Sequence, residues 1–83
     1  ADMVLPDWFV VAATKVRNRI RKLRFARDEM TQAQLAEQVG VTRQTIVAIE
    51  KEKYSPSLEV AFKIALALGE PLDAVFFYEP GAR

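Results

Sequence analysis

From Val16 to Phe76 apolar residues return every three or four positions, the period of a helix. Val16, Ile20 and Leu23 predict a first helix over 16–27, followed by a connection over 28–30. Leu35, Ala36 and Val39 mark the inner face of a second helix. Thr31 stands where its hydroxyl caps that helix, with Gln34 three residues on to complete a capping box. Gly40 ends it, because glycine takes positive φ without a side-chain penalty. Val41 follows as an apolar plug, and Thr42 caps a third helix over 43–51 whose inward residues are Ile46 and Ile49. Residues 52–56 form a loop, since Ser55-Pro56 disfavours helix. Ser57 caps a fourth helix with Leu58, Ala61, Ile64, Ala65 and Leu68 as its inward stripe, and Gly69 closes it. Pro71 opens a short fifth helix that faces Leu72, Val75 and Phe76 inward.

The segment QAQLAEQVGVTRQTIVAIEK, residues 32–51, is then two short helices meeting at one glycine, a helix-turn-helix. Ala36 is small where the two helices cross closely. If Ile46 and Ile49 point inward, Arg43, Gln44, Val47 and Ala48 point outward. Arg pairs with guanine O6 and N7, Gln with adenine N6 and N7, and Val47 or Ala48 could pack on a thymine methyl. These four residues are the expected base contacts of a sequence-specific DNA-binding surface. Gln32 opens the second helix, where free backbone N–H groups and the helix dipole favour a phosphate. Thr42 and Thr45 add hydroxyls, and Lys51, Lys53 and Tyr54 follow the third helix as further phosphate contacts.

The string MTQAQLAEQVGVTRQTIVAIEKEKYSPSLEVAFKIALALGEPLDAVF resembles the Xre/Cro type of helix-turn-helix domain, in a subgroup of short, nearly single-domain proteins with a similar RQT…KY-x-PSL run. The resemblance covers roughly 16–78. It implies an all-α, lambda-repressor-like bundle of about five helices, with the second and third forming the DNA-binding unit. It also implies that Gln32 clamps the DNA backbone, and that Arg24 and Glu50 form a partly buried ion pair that orients the third helix. This chain departs from the pattern at Glu52, where relatives usually have glycine. If positive φ is retained there, the cost is about 1 kcal/mol. An acid at that place also needs a neighbouring lysine to screen it from DNA. The connection before Thr31 is one residue longer than the family pattern.

Eighty-three residues allow one domain with one small core. With no cysteine and no histidine, disulfides are excluded and metal centres and nucleophilic or general-base catalysis are disfavoured. We therefore expect no enzyme, no cofactor and no metal. No apolar run reaches the roughly 18 residues that span a bilayer, so the expected location is the cytoplasm. Net charge is only +1, yet it is unevenly spread. From Lys15 to Lys53 ten Lys or Arg stand against five acids, a balance of +5, while each flank carries −2. Positive charge is thus concentrated in the half expected to meet phosphates.

Three regions follow: an N-terminal extension over 1–15, the helix-turn-helix domain over 16–78 and a tail over 79–83. Trp8, Phe9, Val10 and Val11 make the extension too apolar for an idle tail, and it reads either as a helix running into the first or as an arm on a partner subunit. With Val75, Phe76, Phe77 and Tyr78 it supplies the apolar groups for a dimer seam, Phe76 being assigned to the core and Phe77 or Tyr78 to the surface. The leading expectation is a repressor that binds a pseudo-palindromic operator in double-stranded DNA as a homodimer, its half-sites about 34 Å apart. The alternative is an antitoxin-like or anti-repressor component whose apolar termini bind a partner protein. RNA is disfavoured, because A-form helices close the major groove to side chains.

Overall fold

The computed structural model describes residues 14–53 and 55–80. Within them the order is β1 (Val16–Asn18), α1 (Ile20–Ala26), α2 (Gln32–Val39), α3 (Arg43–Glu50), α4 (Leu58–Leu68), α5 (Leu72–Val75) and β2 (Phe76–Tyr78). The five helices form the mostly helical bundle expected, and a two-stranded sheet is added to it. The arm residues Trp8 to Val11 and the phosphate candidate Tyr54 lie outside the described residues.

Caps set the helix boundaries. The Thr31 hydroxyl accepts from Gln34 N–H at 3.0 Å while the Gln34 amide accepts from Thr31 N–H at 2.9 Å, a reciprocal box. Thr42 and Ser57 cap α3 and α4 by the same hydroxyl bond. Gly40 lies at φ 88° after α2, and its N–H and that of Val41 both bond to Ala36 O, so the chain reverses within one residue. The core is built around Ile20, Leu35, Ile46, Ile49, Ile64 and Val75, all essentially inaccessible to solvent. Packing α2 against both α3 and α4 fixes the helix-turn-helix on this core.

Three expectations change. The first helix does not begin at Val16. Val16–Asn18 is extended and pairs antiparallel with Phe76–Tyr78, in the register Val16↔Tyr78, Arg17↔Phe77 and Asn18↔Phe76. A β-branched residue opposite aromatics suits a strand pair. The Asn18 side chain ends the strand by accepting from Ile20 N–H at 3.1 Å. Correspondingly, α5 stops at Val75 and Phe76 belongs to β2, still packed on the core. Val75 is fully buried and is therefore removed from the proposed dimer seam. Lastly, Leu58 is 68% exposed, because the first turn of α4 overhangs the core and the inward stripe starts at Ala61. With Phe62 and Leu66 it lines an outward apolar row at four-residue spacing.

Candidate nucleic-acid interface

Helix α3 divides its residues cleanly between core and solvent. Ile46 and Ile49 are buried, Arg43 and Gln44 are exposed, and Val47 and Ala48 are half-buried beside them. Among the described residues neither Arg43 nor Gln44 has a side-chain hydrogen bond or ion pair within the domain. Their donor and acceptor groups are thus left to water or to a ligand. Thr42 and Thr45 are more occupied: their hydroxyls lie 3.0 Å apart, and Thr42 also accepts from Thr45 N–H. One hydroxyl hydrogen of the two remains free.

The C-terminal end of α3 is held from two sides. Arg24 on α1 donates from Nε to Glu50 Oε2 at 2.7 Å and from a terminal nitrogen to Oε1 at 3.2 Å, a two-pronged pair nine-tenths buried. The other terminal nitrogen of Arg24 donates to Met30 O at 2.7 Å, which ties down the connection before α2. That connection needs Asp28 and Glu29 at positive φ, the backbone consequence of its extra length. Gln32 donates to Glu50 Oε1 at 3.2 Å, leaving its second amide hydrogen for a phosphate.

The sequence gave no sign of the second hold. Asn18 donates from Nδ2 to Ile49 O at 2.9 Å, so one amide joins the start of α1 to the last turn of α3. Neither periodicity nor charge marks Asn18; only a strand assignment for Val16–Asn18 would have pointed to it.

Glu52 sits at φ 60°, and its neighbourhood is a glycine-type helix stop. Lys53 N–H bonds to Ala48 O at 3.0 Å and Glu52 N–H to Ile49 O at 2.9 Å, the paired bonds of a Schellman ending. Its acid is screened, though by an arginine rather than the expected lysine. Arg17 of β1 donates to Glu52 Oε1 at 2.7 Å and, less closely, to Glu79 Oε1 at 3.3 Å. The bond to Glu52 is the chief cause raising the Arg17 pKa above its usual value; desolvation opposes that rise, and Glu79 adds to it.

Among the described residues, Arg17, Arg24 and Lys63 form salt bridges, whereas Arg21, Lys22, Arg43, Lys51 and Lys53 do not. Four of the basic side chains line one open groove of about 880 Å³: Arg19, Arg21 and Lys22 from the α1 side, and Lys51 after α3. Gln32, Phe25 and the Arg24–Glu50 pair form the rest of its wall. Arg43 borders a smaller recess that shares Arg24, Phe25 and Gln32, so the two are continuous. The Arg19 guanidinium is partly committed, lying 4.1 Å over the Phe77 ring. No helix among the described residues is long and apolar enough to cross a membrane.

Comparison with known proteins agrees with this geometry. A helix-turn-helix family model matches residues 20–75. The chain is 48% identical over 64 residues to an uncharacterised HTH-type transcriptional regulator of Methanocaldococcus jannaschii, covering 77% of this chain and 96% of that one. It is 38% identical over 60 residues to an immunity repressor protein of Bacillus phage phi105, matching 72% of this chain and 41% of the phage protein. Among solved structures it is similar to a candidate DNA-binding protein from Bacteroides fragilis, with TM-score 0.65 and 31% identity over 75% of this chain and 98% of that one.

Proposed function

This chain belongs to the Xre/Cro-type helix-turn-helix family of DNA-binding transcriptional regulators, and from that premise we propose that it is a sequence-reading repressor. Helix α3 enters the major groove with Arg43 and Gln44 on base edges and Val47 and Ala48 beside them. Gln32, the free hydroxyl hydrogen of Thr42 or Thr45, Lys51 and Lys53 take the flanking phosphates. Arg24 and Glu50 hold α3 at its working angle; such a buried pair fixes geometry more dependably than it adds stability. The observation that carries the reading is the exposure of Arg43 and Gln44 with no partner inside the domain. Repression follows from occupancy of a pseudo-palindromic operator by two copies. The phage relative, an immunity repressor, supports that sense of regulation.

Sequencing of DNA selected from a random pool at about 0.15 M salt, where exposed charges more than about 8 Å apart are screened, tests this reading. Two inverted half-sites one helical turn apart are the expected result. Binding to all sequences alike, lost as salt rises, would reject sequence reading.

One observation favours a second reading, an antitoxin-like or anti-repressor role in which a partner protein is the main ligand. Leu58, Phe62 and Leu66 form a solvent-facing apolar row on α4, away from the residues assigned to DNA. Retention of wild-type DNA affinity and repression by a Phe62→Ser, Leu66→Ser variant would dismiss it.

A further inference from the structure

Residues 50–53 read Glu-Lys-Glu-Lys at the exit of the recognition helix, an arrangement that places two acids where a phosphate backbone is to pass. Each acid meets an arginine on the domain side. Glu50 is taken by Arg24 of α1, and Glu52 by Arg17 of β1. Lys51 and Lys53 remain exposed and unpaired among the described residues, so the outward side of the turn shows lysines.

The Arg17–Glu52 contact is not explained by the helix-turn-helix alone. Arg17 comes from a strand that exists only because Val16–Asn18 pairs with Phe76–Tyr78, and the next residue, Asn18, is anchored to Ile49. The strand therefore delivers its guanidinium to a fixed place beside the turn. Both side chains are about three-quarters buried, at 23% and 27% exposure, unlike the 52% of Glu79, the looser partner. Glu52 also occupies a left-handed position that glycine would fill with less strain, so its carboxylate is retained against a backbone cost.

We propose that Arg17 is a positioning residue of the DNA interface: it holds the Glu52 carboxylate back against β1 and masks its charge, so that Lys51 and Lys53 face the phosphates. The proposal rests on the DNA-binding reading above. In it Arg17 makes no DNA contact, and the two-stranded sheet acts on DNA affinity through Glu52.

The test is titration of a labelled random-sequence duplex with wild type, Arg17→Gln, Glu52→Gln and the double variant. All are held at about 0.15 M salt, with a thermal melt of each. An uncovered acid a few ångströms from a phosphate path should weaken binding roughly two- to fivefold per domain. Arg17→Gln shows that loss, Glu52→Gln shows a gain of similar size, and the double variant returns to wild-type affinity or better. A double variant as weak as Arg17→Gln overturns the proposal, because Arg17 then either touches DNA or only supports the fold. If Arg17→Gln does not fold, Glu52→Gln and Glu52→Gly decide: both must tighten binding, and unchanged affinity in either overturns the mask. A wild type that binds no duplex removes the DNA reading together with this inference. A wild type that binds, with no gain in Glu52→Gln, removes the inference alone.

Discussion

Arg43 and Gln44 are the residues on which a claim of sequence reading depends, and they are separable from the phosphate contacts by what their loss does. An arginine engaged with both acceptors of a guanine discriminates against the other bases, whereas a lysine on a phosphate does not. Arg43→Ala is expected to cost about 1–3 kcal/mol on the selected operator and to relax preference at one base pair. Its affinity for random DNA should fall far less. Side-by-side titration of the two duplexes checks this, and equal losses on both would reassign Arg43 to the backbone. The variant's fold should be unaffected, since the Arg43 side chain is exposed and unpaired among the described residues.

At the scale of elements, the working angle of α3 depends on how its two ends are tied. Asn18 joins the first turn of α1 to Ile49 O with a single amide, so Asn18→Ala removes two bonds and leaves a partly buried carbonyl without that donor. A loss of about 1–3 kcal/mol in denaturant unfolding is expected. The helix stops give a graded comparison. Gly40 has open space where a Cβ would stand, so Gly40→Ala should cost only its backbone strain, about 1 kcal/mol. A Cβ on Gly69 would collide with the Arg27 guanidinium, so Gly69→Ala should cost more, unless Arg27 swings away freely. Equal melting shifts for the two alanines would show that it does. These elements also show why the sequence was readable in parts. Caps at Thr31, Thr42 and Ser57 and the stop at Gly40 are settled by residues within four positions, so they are visible in the string. The strand Val16–Asn18 is settled by Phe76–Tyr78, about sixty residues away, and a helical period running through Val16 and Ile20 hid it. Arg17 and Asn18 were missed as positioning residues for the same reason. Leu58 matched the helical period, but period alone does not say where a core ends.

Across the whole molecule, the excess of +5 between Lys15 and Lys53 is sorted by the fold into two classes of cation. Arg17 and Arg24 are spent on Glu52 and Glu50 and serve the architecture, and Arg19 lies on Phe77. Arg21 and Lys22 on α1 are exposed, unpaired among the described residues, and line the same groove as Lys51 and Gln32. A net charge of +1 therefore understates the field met by DNA approaching this side. If the groove follows a phosphate strand, an Arg21→Gln, Lys22→Gln variant releases about two fewer counterions per domain. The slope of log K against log salt should become shallower by about 1.8. The loss should be the same on operator and random duplexes, because neither side chain reads a base, and the motif recovered by selection should not change. Unfolding free energy should move by no more than about 0.5 kcal/mol, as expected for surface substitutions that break no internal contact. An unchanged slope would place the backbone elsewhere and confine the interface to α3 and the ends of α2. A shallower slope with an altered motif would instead mean that α1 sets the angle at which α3 enters the groove.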